Sequence, residues 1–139
     1  MTEPEDEGVF VRSMAARDRL GGLAELTVGG MLLMRAVYDV VLIETVGVGQ
    51  SETDVAWVAD TVIFCVQPGS GDSLQFMKAG IMEIPDLAVV TKADMEAAQR
   101  SKADLRAALA HQRRNDGWSV PTLPLSAQKG TGIAPLGSA

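Results

Sequence analysis

The sequence predicts an α/β fold, with a mostly parallel sheet and flanking helices. Short apolar runs alternate along the chain with longer segments of helical periodicity, and this order is typical of right-handed βαβ units. The apolar runs are continuous and rich in branched residues, as in strands that are buried on both faces of a parallel sheet. With 139 residues, 47% of them hydrophobic, the chain is sufficient for one such domain.

The strands are predicted from these apolar runs. A short strand is predicted at residues 9–12. Continuous runs of branched residues predict buried parallel strands at residues 40–44, 61–67 and 87–91. A last strand is predicted at residues 121–125.

The helices are predicted from the spacing of their apolar residues. Residues 22–37 have helical spacing, although two adjacent glycines weaken that helix by about 1 kcal/mol each. Further helices are predicted at residues 72–84 and 93–114, and residues 130–136 begin another element. Since strands and helices alternate, ligands are expected beyond the carboxyl ends of the strands.

Composition and charge exclude several classes of function. The net charge is −6 without a cluster of Lys and Arg, which argues against nucleic acid and against an anionic membrane surface. The single cysteine, Cys65, stands in an apolar run and is predicted to be a buried, unreactive thiol. The sequence has one Cys and one His, which are too few ligands for a typical zinc site. An acidic N-terminus and the lack of a membrane-spanning apolar run predict a cytoplasmic protein.

The first polar cluster follows the predicted strand at residues 40–44. Glu44 is a carboxylate at the end of an apolar strand, where a magnesium ion or a water bound to it would be a suitable partner. Gly47 lets the backbone N–H approach closely, as a γ-phosphate oxygen would require. The alternative is a strand-end acid that is followed by an ordinary glycine turn.

The second cluster, Thr91-Lys92-Ala93-Asp94, begins at the last residue of the strand predicted at residues 87–91. The stem of Lys92 can lie over a purine, and Asp94 can accept hydrogen bonds from N1–H and the exocyclic amine of guanine. Adenine has no donors in those two places, so Asp94 could determine the choice of base. The alternative is that Asp94 is only the N-cap of the helix that follows.

The third cluster, Ser126 and Ala127, follows the last predicted strand. Small residues there allow a backbone N–H to reach an oxygen of the base, whereas the alternative is an ordinary strand-to-helix turn. The three clusters occur in the order that a GTPase requires: a switch acid and glycine, a guanine-reading tetrapeptide, and a base-supporting Ser-Ala turn.

Residues 38–53 resemble the ArgK/MeaB family of P-loop GTPases, which is associated with methylmalonyl-CoA mutase. The sequence Glu44-Thr45-Val46-Gly47-Val48-Gly49-Gln50-Ser51-Glu52 is characteristic of that family. Further segments resemble it at residues 10–13, 20–24, 68–75 and 78–83. The resemblance implies a P-loop GTPase domain of the SIMIBI type, which binds GTP or GDP with Mg2+. It also implies a homo-oligomer that hydrolyses GTP slowly and assists a cobalamin-dependent mutase.

The resemblance also implies roles for particular residues. Glu44 matches the acid of the magnesium-linked loop, and Gly47 matches the glycine that senses the γ-phosphate. Lys92 and Asp94 match the base-stacking lysine and the guanine-reading aspartate, and Thr91 stands where the family usually has asparagine. Ser126 and Ala127 match the base-supporting turn.

The chain departs from the family pattern in its phosphate-binding loop. It contains no Walker A sequence, G-x-x-x-x-G-K-[ST], whose N–H groups and lysine hold the phosphates. We therefore interpret residues 1–139 as a partial G domain that lacks the Walker A segment and the family's C-terminal dimerisation extension. Such a chain is expected to hydrolyse GTP very poorly by itself. An open apolar edge at residues 40–43 would then favour self-association.

Two other functions stay open at the level of sequence. The first is an ATP-dependent kinase of a lysine/arginine/ornithine transport system, which the older name of the family suggests. Adenine, however, would leave the Asp94 carboxylate without a hydrogen-bond partner. A non-catalytic module that binds a partner through the segment after Gly47 is the second alternative.

Overall fold

The computed structural model describes residues 8–13, 25–45, 52–69, 84–110 and 117–138. The chain divides into two compact units, residues 1–51 and residues 52–139.

The first unit contains helix α1, Glu25–Arg35. Its Leu, Met and Arg residues are good helix formers and outweigh Gly29 and Gly30 at its centre. The helix ends in a turn, in which the N–H of Tyr38 donates to the carbonyl of Met34 at 2.9 Å. The ring of Tyr38 stacks on Phe10, with ring centroids 6.5 Å apart. The helix predicted at residues 22–37 is confirmed from Glu25 to Arg35, whereas residues 36 and 37 form a turn.

The strands predicted at residues 9–12 and 40–44 are wrong, because both segments are irregular. A strand needs neighbouring backbone to pair with its N–H and C=O groups, and no described segment pairs with either one. Val40 and Leu42 are 73% and 87% exposed instead, while Val41 and Ile43 are half-buried. Apolar composition alone therefore did not decide the structure of this segment.

The second unit contains a three-stranded parallel sheet. The second unit begins with a 3₁₀ helix, Glu52–Trp57, which was not predicted from the sequence. The order in the sheet is β1-β2-β3. The strands are β1, Ile63–Val66; β2, Leu87–Val90; and β3, Thr122–Pro124. Helix α2, Ala98–Ala110, connects β2 to β3, and a short helix α3, Ile133–Gly137, follows. The predicted α/β class with a parallel sheet is confirmed.

The core lies between the sheet and helix α2. All four residues of β2 are buried, as expected for a central parallel strand. Ala88 and Val90 face the same side of the sheet and join Val66, Ala98 and Leu105 in one cluster. Burial of a Val or Leu side chain stabilises the fold by roughly 1.5–3 kcal/mol. This packing fixes the crossover from β2 to β3, so both strands end at the same edge of the sheet.

Several element boundaries differ from the sequence-based expectations. Each predicted strand at residues 61–67, 87–91 and 121–125 is present but shorter. The helix predicted at residues 93–114 begins only at Ala98, because residues 93–97 form turns. The helix predicted at residues 72–84 lies, except for its last residue, outside the described residues.

The prediction of a buried Cys65 is wrong, since its side chain is exposed. Side chains alternate along β1, so Phe64 and Val66 face the core while Ile63 and Cys65 face the other side. Neighbouring atoms still desolvate the sulfur in part and raise the pKa of the Cys65 thiol. No helix in the described part of the chain combines the length and the apolar character needed to cross a bilayer.

Candidate functional site

A cavity of about 540 Å³ lies at the carboxyl ends of β2 and β3. Its walls come from the loop that follows β2 and from the loop that follows β3. The residues that line it are Thr91, Lys92, Asp94, Met95, Leu125, Ala127 and Gln128. A cavity beyond the carboxyl ends of parallel strands is the expected position of a ligand in this architecture.

The first loop begins at Thr91 and turns sharply at Lys92. Lys92 has a φ of 49°, in the left-handed region that side chains other than glycine rarely adopt. The turn continues through the Met95 N–H, which donates to the carbonyl of Lys92 at 3.0 Å. A second turn, from the N–H of Ala98 to the carbonyl of Met95, leads into α2. Lys92 and Asp94 are thereby both placed at the cavity.

The second loop is closed by a small antiparallel bridge between Ser126 and Thr131. The N–H of each residue donates to the carbonyl of the other, at 2.9 and 3.1 Å. Gly132 follows with a φ of 83°, and a Cβ at this position would overlap the carbonyl oxygen of Pro124. Only glycine therefore suits this close approach of two backbone segments.

Direct hydrogen bonds tie the two loops together. The N–H of Ala93 donates to the carbonyl of Leu125 at 2.9 Å, and the N–H of Leu125 donates to the carbonyl of Val90 at 2.9 Å. The hydroxyl of Ser126 also donates to Oδ1 of Asp94, at 2.5 Å. The walls of the cavity are thus one hydrogen-bonded assembly rather than two independent loops.

Ser126 is the polar residue on which Asp94 depends. Ser126 is 1% exposed and lies behind the residues that line the cavity. Its hydroxyl oxygen accepts a hydrogen bond from the N–H of Lys129 at 3.2 Å. The hydrogen bond from Ser126 is the main cause that lowers the pKa of Asp94. The backbone N–H of Asp94 and the charges of Lys129 and Lys92 lower this pKa further. Asp94 is therefore an ionised carboxylate at neutral pH, which can only accept hydrogen bonds.

The interpretation of Asp94 as a helix N-cap is wrong. Helix α2 begins at Ala98, four residues further along, and the carboxylate binds Ser126 instead of a helix N–H. A difference of four residues exceeds the usual uncertainty of a helix boundary.

The structure brings together the predicted residues of the second unit. Thr91, Lys92, Asp94 and Ala127 line the cavity, and Ser126 supports Asp94 from below. Sequence reasoning missed Met95, Leu125 and Gln128, which also line it. Their position next to the predicted residues in the sequence was the only available signal.

The predicted phosphate-end residues belong to the first unit. Glu44 is exposed, and Gly47 lies outside the described residues. In the part of the chain that the structure describes, no group of three or more His, Cys, Asp or Glu side chains is arranged to hold a metal ion.

The fold and the cavity define an α/β domain with an open cavity at its strand ends, the class that includes the P-loop GTPases. Comparison with known proteins makes this specific. The chain belongs to the family described as methylmalonyl-CoA mutase-associated GTPase MeaB, which it matches over residues 1–139. The resemblance to the ArgK/MeaB family is thus confirmed.

Three relatives show how far the likeness extends. A Pyrococcus abyssi protein named as a GTPase is 44% identical over 135 residues, which are 94% of this chain and 42% of that protein. The mouse protein named methylmalonic aciduria type A homolog, mitochondrial, is 38% identical over 136 residues, 94% of this chain and 33% of that protein. GTPase ArgK of Escherichia coli is 47% identical over 89 residues, 63% of this chain and 27% of that protein. The chain therefore spans less than half of each relative.

Proposed function

We propose that this chain binds a guanine nucleotide and supplies the base-recognition part of a GTPase. The observation that carries the proposal is the Asp94 carboxylate, which a buried serine holds at the edge of a cavity beside Lys92. An ionised acceptor in a fixed position is the group that can choose between purines.

The chemistry of the base favours guanine over adenine. Guanine presents two adjacent donors, N1–H and the exocyclic amine, and a carboxylate can accept both. Adenine presents an acceptor at N1, which would face the negative charge of Asp94 without a hydrogen bond. Hydrogen bonds to a charged group contribute about 1.5–3 kcal/mol each. The apolar stem of Lys92 can cover the ring, while Met95 and Leu125 add apolar wall.

The reaction at the phosphates belongs to the proposal as well. Mg2+ would neutralise phosphate charge, and Glu44, whose side chain is exposed, would hold the ion through a bound water. We propose Glu44 and Gly47 for this end of the nucleotide on the basis of the family pattern. The chain contains no G-x-x-x-x-G-K-[ST] sequence, so for this chain we propose binding, and we assign GTP hydrolysis to a protein that also has such a loop.

The proposed partner is a cobalamin-dependent mutase, and a homo-oligomer is proposed as the working form. The description of the family as methylmalonyl-CoA mutase-associated supports the first of these. Large exposed apolar side chains support protein contacts in general, because apolar surface of this kind often marks an interface. Leu33 is 74% exposed and Leu42 87% exposed in the first unit, and Trp57 is 86% exposed in the second.

Replacement of Asp94 by Asn tests the proposal. The Asn amide can donate where the carboxylate accepted, so Asp94→Asn should weaken GDP binding by about tenfold to a hundredfold. The same variant should gain affinity for xanthosine diphosphate, whose base has a carbonyl in place of the exocyclic amine. Isothermal titration calorimetry with GDP, ADP and xanthosine diphosphate measures all three. Asp104→Asn, on the exposed face of α2, is the control for the loss of one negative charge.

The outcomes separate the candidate functions. Equal affinity of the unaltered protein for GDP and ADP would contradict base recognition by Asp94. A preference of the unaltered protein for ADP over GDP would support the transport-kinase alternative. Failure to bind any nucleotide would support a non-catalytic, partner-binding module.

A further inference from the structure

The side chain of Thr91 is held by the neighbouring strand at the entrance of the first loop. Its N–H donates to the carbonyl oxygen of Val66 at 2.9 Å, and its hydroxyl donates to the same oxygen at 3.2 Å. Val66 is the last residue of β1 and is 2% exposed. One residue thus makes two bonds to a single buried carbonyl of the adjacent strand.

These two bonds have different consequences. A carbonyl oxygen has two lone pairs, so it can accept both donors. The backbone bond continues the pairing of the sheet, and the side-chain bond uses the only hydroxyl hydrogen of Thr91. That hydrogen is therefore directed to the sheet and not into the cavity. The hydroxyl fixes the rotamer of Thr91 immediately before the left-handed turn at Lys92.

We propose that Thr91 is a positioning residue for guanine selectivity, which acts by anchoring the first loop to the end of β1. The inference rests on the proposed guanine-nucleotide function and deepens it. Thr91 holds Lys92 and Asp94 in place without contacting the base through its hydroxyl hydrogen.

The anchor complements the bonds on the other side of the loop. Ala93 and Asp94 are tied to the β3 side, through the carbonyl of Leu125 and the hydroxyl of Ser126. Thr91 supplies the corresponding tie to β1. With bonds to both neighbours of β2, the loop has little freedom to move its carboxylate relative to a bound base. A recognition group that is held in its working position loses less conformational entropy on binding.

The experiment compares Thr91→Val with Thr91→Ser. Valine keeps the branched shape without the hydroxyl, while serine keeps the hydroxyl without the methyl group. The readout is the ratio of the affinities for GDP and inosine diphosphate, whose base retains N1–H but lacks the exocyclic amine. We expect Thr91→Val to lower this ratio by about twofold to tenfold, and Thr91→Ser to preserve it.

A general loss of structure would change both affinities together, so the ratio distinguishes positioning from a merely structural role. The Val66 carbonyl keeps its backbone partner in every variant, which protects the fold. If Thr91→Val does not fold, Thr91→Ala also removes the hydroxyl and allows the same measurement.

An unchanged ratio in the hydroxyl-free variant, in a protein that prefers GDP to ADP, would overturn the role of Thr91 and leave the proposed function intact. A lowered ratio in Thr91→Ser as well would also overturn it, because the hydroxyl would then not be the anchor. An unaltered protein without preference for GDP over ADP would overturn the proposed function, and this inference with it.

Discussion

Two aspartates flank the central strand β2, and they are engaged in opposite ways. At the amino end, Oδ2 of Asp86 accepts the N–H of Val62 at 2.9 Å. The N–H of Asp86 donates back to the carbonyl of Val62 at 2.9 Å, and its carbonyl accepts Nε1–H of Trp118 at 3.0 Å. At the carboxyl end, Asp94 is bound through the side chain of Ser126 and lines a cavity.

The comparison shows that the partner, and not the residue type, decides what a strand-end carboxylate can do. Asp86 satisfies a backbone donor of the neighbouring strand, so its charge is part of the sheet's own hydrogen bonding. Asp94 is held by a side chain that leaves it at the wall of an open space. Substitution of Asp86 should therefore affect folding, whereas substitution of Asp94 should affect recognition.

The largest effect is expected at the carboxyl end, from Gly132→Ala. The new Cβ would overlap the Pro124 carbonyl, and alanine would also have to adopt a φ of 83°. The left-handed conformation alone costs about 1–2 kcal/mol, and relief of the overlap requires a backbone shift. We expect the free energy of unfolding to fall by more than about 2 kcal/mol in urea denaturation.

Gly130→Ala is the matched control for this substitution. Gly130 also has a left-handed φ, of 65°, but a Cβ there meets no atom within 4 Å. It should cost only about 1–2 kcal/mol, from conformation alone. Equal losses in the two variants would show that the contact with Pro124 contributes nothing.

Asp86→Ala should lower stability without changing base selectivity. The substitution leaves the N–H of Val62 without its carboxylate partner, which costs about 1–3 kcal/mol of unfolding free energy. The ratio of GDP to ADP affinity should stay unchanged, because Asp86 lies at the opposite end of β2. Asp86→Asn retains an acceptor oxygen and should lose less stability. Altered selectivity in Asp86→Ala would break the division between the two ends.

Ser126→Ala should shift the pH dependence of GDP binding. The hydrogen bond from Ser126 is the first cause that lowers the pKa of Asp94, so its removal should raise that pKa toward the ordinary carboxyl range. A lowered folded-state pKa stabilises the fold above the unfolded value, and this contribution is lost as the pH falls through the folded-state pKa. GDP binding should accordingly fail at a higher pH in the variant than in the unaltered protein.

Calorimetric titration with GDP measures this shift. The titrations should run from about pH 3 to about pH 7, a range that begins below the ordinary pKa of Asp and ends well above it. Coincident pH profiles of the two proteins would contradict the assignment of Ser126 as the main support of Asp94. The comparison should use Ser101→Ala as the control, since the Ser101 hydroxyl donates to the helix carbonyl of Ala97 and Ser101 does not line the cavity.

The smallest effect is expected from Trp118→Phe. The indole of Trp118 is 49% exposed, and its bond to the Asp86 carbonyl is open to solvent. Loss of such a bond should lower the free energy of unfolding by less than about 1 kcal/mol. Thermal unfolding measures the change in stability, and GDP titration measures the effect on the cavity. A clear loss of GDP affinity would show that the two ends of β2 are not independent.

Composition and order were sufficient to predict the sheet around β2 and the grouping of Lys92, Asp94 and Ala127. A continuous branched run marks a buried strand, and parallel strands carry their following loops to one edge. The same reasoning was wrong for residues 40–44, which have similar composition but pair with no described strand. The β-propensity of a segment depends on that segment alone, whereas a strand forms only when a second segment pairs with it.

The interior of the site could not be predicted. The bond between Ser126 and Asp94 joins residues that are 32 positions apart, and it depends on the shapes of two loops. The left-handed conformation of Lys92 had no local signal either, because it occurs at neither Gly nor Asn. The exposed position of Cys65 depends on which face of β1 is covered, and the sequence does not state this.

The backbone of Lys92 has an evolutionary consequence. A φ of 49° is easier for glycine than for lysine, so a glycine in this place would relieve conformational strain. Selection for a more heat-resistant protein alone would thus tend to remove the cation from the rim. Given the proposed position of Lys92 over the base, stability and nucleotide binding would favour different residues at this position.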